Sequence, residues 1–356
     1  MVFLKGRFLG IYSLEVLIMG YISTNRLLWA DSLKGLLMIL VILGHAIQGY
    51  MPEACFHNHV WNLIYSFHMP AFMAVSGYFA YRVHRVWGGK LSTCKRRFLQ
   101  LLVPYFAWSI VSMIVSGEVT FLKLENIFLH PDTSFWFLWV LFWINILFVL
   151  GQWIAEKCHL DELIPISTIC VVLLGMMVGL EFRLFGFQFL AYYFLFYTLG
   201  YVVHRFSFLQ VSKNGVLVLL LFAWFCLAWS WEMHELPNWM PMIPHVPASL
   251  LHYAYRGGTA MLAVFFLLGV APKVLNSDKG IVTRNIREIG VVSLGYYTCH
   301  LTLMGYVVDG LKALMNHVND GIIITSIFVI SLVITYIVVE FLKKNKYTAR
   351  VLLGKI

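Results

Sequence analysis

Residues 27–50 read LLWADSLKGLLMILVILGHAIQGY, an almost continuous apolar run with a few polar side chains. A helix rises about 1.5 Å per residue, so a run of this length covers the roughly 30 Å hydrocarbon layer of a bilayer. Asp31, Lys34, His45 and Gln48 recur at offsets close to whole helical turns and therefore share one face. The stretch predicts a membrane-spanning helix with a polar stripe that faces the interior of a bundle.

The composition of the whole chain favours the same environment. Of 356 residues, 60% are apolar and 12% are charged, and the mean hydropathy is +0.79. Soluble domains carry about 25% charged residues, so a water-soluble globular protein is excluded. Ten apolar runs occur, at 27–50, 60–81, 98–117, 135–155, 163–180, 188–203, 215–231, 250–271, 289–308 and 321–342. Barrel strands would alternate apolar and polar residues, so we predict an all-α polytopic membrane bundle of about ten transmembrane helices.

The basic residues indicate the orientation of this bundle. Twenty-one of the 26 Lys and Arg residues precede the first run, follow the last one or lie in loops on that same side. Cytoplasmic loops retain Lys and Arg, so we expect both termini in the cytoplasm and the bundle in the plasma membrane. The expected division is a cytoplasmic or interfacial segment 1–25, a membrane domain 26–342 and a basic cytoplasmic tail 343–356. Topology explains the net charge of +9, so no nucleic-acid partner is predicted.

Other runs also contain polar or aromatic side chains that a membrane seldom tolerates without a function. These are His68 near Pro70, Trp136, Arg256 and His300. Such groups usually face a cavity or one another, which predicts a site inside the bundle. Purely structural roles stay open: a carbonyl bond for the histidines, an interfacial belt for Trp136, and an ion pair for Arg256. No third ligand accompanies the histidines at useful spacing, so no metal site is predicted.

Five stretches, in this order, resemble the acyltransferase type 3 family of integral-membrane acyltransferases. The two specific ones are 31–35 with Gly44 and His45, and FHMPAFMAVSGY at 67–78. Weaker ones are 102–105 after basic residues, FWFLW at 135–139, and 293–295 with Tyr297 and His300. Members of that family have about ten spans and move an acyl group, usually acetyl from acetyl-CoA, to sugars or other acceptors of the cell envelope.

The resemblance implies that His45 is the essential histidine and that Lys34 is the basic residue on the same helical face. The family's Arg-x-x-Arg pair before the proline of the third helix is degenerate here, since the basic cluster lies at Lys95, Arg96 and Arg97. The carry-over of donor-binding residues from the family is therefore incomplete.

The expected chemistry follows from thioester transfer to a hydroxyl, which needs a base such as a neutral imidazole. We expect His45 to act in catalysis together with Lys34 and Asp31. Acetyl-CoA or another acyl-CoA would be held at the cytoplasmic mouth by basic side chains, namely Arg82, Arg85, Arg96 and Arg97. An envelope glycan or glycolipid acceptor would meet His68, Trp136, Arg256 and His300. A direct ternary complex and an acylated His45 both stay open, and the oligomeric state is not predicted.

Two other functions compete with this hypothesis, and Lys34 has a structural alternative. A proton-coupled transporter could use His45, His68 and Arg256 as a relay, but it does not explain the dense basic segment after the second run. A flippase or scaffold for envelope assembly predicts no CoA binding. Lys34 could be a snorkelling lysine that pairs with Asp31.

Overall fold

The computed structural model describes residues 27–86, 89–131, 135–180, 182, 184–208, 213–240, 243–276, 280–315 and 318–355. For residues 81–86 it describes the backbone alone, so the side chains of Arg82 and Arg85 lie outside it. The expected interfacial segment 1–25 also lies outside the described residues.

The described residues are almost entirely helical and contain no strand. The α-helices are α1 Leu28–Tyr50, α2 His59–Tyr65, α3 His68–Val86, α4 Lys90–Arg97, α5 Val103–Val115, α6 Phe121–Leu129, α7 Trp136–Cys158, α8 Leu163–Leu180, α9 Phe187–Arg205, α10 Asn214–Trp229, α11 Ala248–Val274, α12 Ile281–Val291, α13 Ser293–Leu314, α14 Asp320–Lys343 and α15 Lys346–Leu353. The predicted all-α polytopic bundle is confirmed.

The sequence predicts ten spanning helices, and fewer helices among the described residues meet the length and composition of a membrane span. Among the described residues, seven helices are long and apolar enough to cross a membrane, or eight with one bent pair. The second predicted run is interrupted at Ser66 and Phe67, which separate α2 from α3, and the seventh forms only the 16-residue α10. Apolar sequence alone predicts length but not these helix breaks.

The ninth predicted run, 289–308, begins in the wrong place. The chain bends by 81° between α12 and α13, so the apolar helix begins at Ser293 and extends to Leu314. α12 is a separate helix that packs along α1. Because α12 contains Arg284, Arg287 and Glu288, the sequence predicts a loop over most of this helix.

The basic segment before the third run is helical rather than a loop. Lys95, Arg96 and Arg97 end α4, and a π-helical turn at Phe98–Leu102 joins α4 to α5. Together these elements form one helix of 26 residues, Lys90–Val115. α15, in the expected basic tail, packs on this helix, where the Trp108 indole N–H donates to the carbonyl oxygen of Leu352 at 2.8 Å.

Glycines allow the backbones of two helix pairs to touch directly. A Cβ built on Gly200 of α9 would lie 1.8 Å from the carbonyl oxygen of Ala74 in α3, and one on Gly77 would lie 1.9 Å from that of Tyr197. α1 and α12 meet in the same way at Gly35 and Gly290. Lipid gives apolar helices no hydrophobic reason to associate, so close van der Waals packing of small residues holds them together.

Gly200→Ala is expected to destabilise the bundle, because the added methyl group forces α9 away from α3. Overpacking of this kind costs about 1–3 kcal/mol. The measurement is the thermal unfolding midpoint of the detergent-solubilised protein. Gly175→Ala is the matched control, since a Cβ at Gly175 of α8 meets nothing within 4 Å. A midpoint for Gly200→Ala equal to that of Gly175→Ala would contradict the packing argument.

The loop after α1, which the sequence predicts to lie outside, folds into a small apolar cluster. Cys55 is 0% exposed, and its thiol donates to the carbonyl oxygen of Pro52 at 3.2 Å. It packs with Ile47, Trp61 and Trp231. A cysteine that the topology places outside is therefore shielded from solvent.

This burial sharpens a test of the predicted orientation. Glu53→Cys places an exposed thiol in the same loop, and an impermeant maleimide should label it on intact cells. The wild type, with buried Cys55 and exposed Cys158 on the predicted cytoplasmic side, should label only after permeabilisation. Labelling of wild-type Cys158 on intact cells would invert the topology.

Candidate active site

A cavity of about 980 Å³ opens at one end of the bundle. It is lined by the last turns of α1, α2 and α5, by the first turns of α3, α7, α9 and α11, and by residues 297–309 of α13. Met233 and His234 from the loop before α11 complete the lining. In the predicted topology all of these helix ends lie on the outer side, although they come from distant parts of the sequence. The cavity is therefore built by tertiary packing and not by any one segment.

His45 lines this cavity together with Gln48, one turn further along α1. Its imidazole is partly exposed, and its ring centroid lies 5.3 Å from that of His300 and 6.3 Å from that of Tyr65. The Tyr65 hydroxyl donates to the Gln48 side-chain carbonyl at 3.0 Å, which holds that rim of the cavity in place. The side chain predicted to be the base is thus open to a large space.

His68 and His300 differ from His45, because each is buried and lies against a backbone carbonyl four residues earlier in the chain, in α2 for His68 and in α13 for His300. Nδ1 of His68 lies 2.7 Å from the carbonyl oxygen of Ile64, and Nδ1 of His300 lies 2.7 Å from that of Tyr296. A carbonyl oxygen can only accept, so both rings carry a proton on Nδ1 and leave Nε2 as the second site. The hydrogen bond to a backbone carbonyl, which was the structural alternative for His68, is therefore present. His68 also lines the cavity.

Lys34 and Asp31 lie outside the cavity lining. Lys34 Nζ lies 2.7 Å from a carboxylate oxygen of Asp31, which is 3% exposed. The eleven residues between Lys34 and His45 correspond to about 16 Å along α1. The ion pair considered as the structural role of Lys34 is therefore present, at the far end of the same helical face.

Trp136 forms part of an aromatic wall of the cavity. Its ring stacks on Tyr193 with centroids 5.1 Å apart and lies 4.7 Å from Phe189. An interfacial belt residue would face lipid, whereas this indole shares the cavity lining with both partners. A flat apolar wall of this kind suits the C–H face of a sugar ring.

Arg256 also lines the cavity and has no carboxylate partner among the described residues. Its guanidinium lies over the rings of Tyr192, at 5.7 Å, and Trp231, at 5.5 Å. An arginine at the centre of a spanning helix costs about 2.5–3.5 kcal/mol on insertion scales unless its charge is compensated. The ion pair considered for Arg256 is absent from the part of the chain described.

The expected donor-binding arginines lie towards the other end. Arg97 lines a small space of about 20 Å³ beside Asn145 and Tyr197, and it donates to the Gln100 side chain at 3.1 Å. Arg96 is partly buried next to it. In the described ranges no three His, Cys, Asp or Glu side chains form a group able to hold a metal ion.

Sequence reasoning missed the side chains that α9 and the α10 to α11 loop contribute. Gln188, Tyr192 and Tyr193 lie in one apolar run and Trp231 ends another, so the sequence gives each of them the appearance of an ordinary membrane residue. The one available signal was Gln188, a polar residue at the start of a run.

Three comparisons with known proteins bear on the identity of this fold. A family described as an acyltransferase domain, acyltransferase type 3, matches residues 27–340. The nodulation protein NolL of Mesorhizobium japonicum is 24% identical over 93% of this chain and 91% of its own length. NolL of Sinorhizobium fredii is 30% identical over 43% of this chain and 46% of its own. No solved structure matches the chain.

The family match begins at α1 and ends within α14, so it contains the whole cavity, and the described helices form the polytopic bundle expected of a membrane enzyme. This chain therefore belongs to the acyltransferase type 3 family and is a multi-pass membrane acyltransferase.

Proposed function

We propose that the chain transfers an acyl group, acetyl in our assignment, from acyl-CoA to a hydroxyl group of a cell-envelope polysaccharide or glycolipid, with His45 as the general base. The observation that carries this proposal is the position of His45, which is open to a cavity of about 980 Å³ while the two neighbouring histidines are tied to backbone carbonyls. The plasma membrane is the location that we propose for this reaction.

The reaction requires one proton transfer and one exchange of bonds. The imidazole of His45 takes the proton of the acceptor hydroxyl, whose oxygen attacks the thioester carbonyl carbon. The new C–O ester bond forms as the C–S bond breaks, and the CoA thiolate recovers the proton from the imidazolium. A base placed in this way contributes about 10² to 10⁴ in rate.

The donor would approach from the cytoplasmic end. Arg96 and Arg97 on α4 offer guanidinium groups for the CoA phosphates, and we assign Arg82 and Arg85, whose side chains lie outside the described residues, to the same role. Lys34 would attract the donor at the start of α1, with Asp31 fixing its position. The roughly 16 Å from Lys34 to His45 is about the reach of an extended pantetheine arm.

The acceptor would enter the cavity from the outer side. Trp136 and its aromatic partners offer a stacking surface to a sugar ring. His300 packs against His45 and would hold its ring in position for the hydroxyl. His68 would contact the acceptor from the opposite helix, since it lines the same cavity.

His45→Ala should abolish acyl transfer while leaving the membrane insertion of the protein intact, because the base is lost and nothing in the core is removed. We expect a fall of about 10² to 10⁴ in rate, measured as acyl-CoA-dependent ester formation in membranes. His59→Ala is the matched control: His59 is an exposed histidine of α2 that stacks on Trp229 outside the cavity. Transfer by His45→Ala at the rate of His59→Ala would refute the assignment.

Inverted membrane vesicles should test the direction of transfer. Labelled acetyl-CoA added to the exposed cytoplasmic face should label glycans in the lumen, so an impermeant esterase should release the label only after detergent is added. Right-side-out vesicles given the same external donor should stay unlabelled. Release of the label before detergent would contradict a donor path across the membrane, and unconsumed acetyl-CoA would favour a transporter.

A further inference from the structure

Several buried side-chain nitrogens without a hydrogen-bond partner in the described chain lie at or beside the α11 end of the cavity. Arg256 Nε, His252 Nε2 and Trp231 Nε1 are buried side-chain nitrogens with no hydrogen-bond partner among the described residues. Arg256 and His252 lie one helical turn apart on α11, and both line the cavity. Trp231 lies against the Arg256 guanidinium.

The donor-only chemistry of this group suits a negatively charged ligand. The guanidinium and the indole N–H can donate hydrogen bonds but cannot accept them. The cavity has a carboxylate of its own in Asp309, but it makes no ion pair with Arg256 in the part of the chain described. A buried hydrogen-bond donor without a partner costs free energy. A ligand that brings a hydrogen-bond acceptor to these donors would recover that cost, which favours its binding.

Aromatic contacts leave the positive charge of Arg256 intact. Tyr192 and Trp231 hold the guanidinium through their ring faces, which restricts its movement but does not neutralise it. A fixed planar fork is the geometry that binds carboxylate or phosphate oxygens in pairs. The site is therefore organised for an anion before any ligand is bound.

We propose that the acceptor carries an anionic group, a carboxylate or a phosphate, which binds Arg256 in the outer cavity and places its hydroxyl at His45. This inference rests on the proposed function and narrows the acceptor to acidic glycans or glycolipids. Trp136 and Tyr193 would then stack on the neutral part of the same molecule.

The experiment uses cells that lack this chain and are complemented with the wild type or a variant. Envelope glycans and glycolipids are extracted at neutral pH, separated on an anion exchanger and assayed for ester. We expect the ester that depends on the wild type in the retained, anionic fraction. Arg256→Gln should lower it at least tenfold, and Arg256→Lys, which keeps a charge without the fork, should lower it less.

The matched control is Lys123→Gln, which removes a cation of α6 that pairs with Glu118 away from the cavity. It should leave the ester at the wild-type level, and all variants are compared at equal protein content in the membrane. If the ester that depends on the wild type lies wholly in the unretained fraction, the acceptor is not anionic and this inference is wrong. The acyltransferase proposal would still stand. The same ester level in Arg256→Gln and the wild type would also overturn it.

Failure of the proposed function gives a different result, because no fraction would then contain ester that depends on the wild type.

The same extracts distinguish a phosphate from a carboxylate as the anionic group of the acceptor. Phosphatase treatment that moves the ester-bearing material to the unretained fraction identifies a phosphate monoester, and carbodiimide coupling that does so identifies a carboxylate. Retention that persists through both treatments, without Arg256 dependence, would overturn the inference.

Discussion

Backbone contact between α3 and α9 positions two of the helices that line the cavity. Gly77 and Gly200 let each helix touch the main chain of the other, and a single methyl group at either position would separate them. α3 begins with His68, and α9 carries Tyr192 and Tyr193 of the cavity wall. Since packing alone holds apolar helices together in lipid, the shape of the cavity depends on residues with no side chain.

Three histidines lie near the cavity end of the bundle, and their local bonds differ. Nδ1 of His68 and Nδ1 of His300 each donate to the carbonyl oxygen of the residue four positions earlier, so backbone carbonyls set both tautomers. His45 lies on the side open to the cavity and 5.3 Å from the His300 ring. In the proposed function, the His45 imidazole would pack against the fixed His300 ring and stay free to exchange a proton with a molecule in the cavity.

Much of this arrangement could be predicted from the sequence, because the bilayer limits the chain to apolar helices of known length. That constraint gave the all-α bundle, and the polar stripe of α1 led to His45. The 81° bend before α13 was missed, since an amphipathic helix such as α12 reads as a charged loop. The roles of Trp136 and Arg256 in one cavity depend on the packing of the eight described helices that line it, and no local pattern in the sequence encodes that packing.

The π-helical turn at Phe98–Leu102 fits one residue more into a turn than an α-helix does. Each residue of an α-helix turns the chain by about 100°, so this extra residue changes the face on which Arg96 and Arg97 lie relative to α5. Deleting one residue there would shorten the segment by a single position and rotate Arg97 by about 100° relative to α5, away from its place beside Tyr197. The spacing of the basic residues before Pro104 therefore determines their direction only in combination with the π-helical turn. Two chains with differently spaced arginines can place the same charge at the same position if their helical turns differ in the same measure.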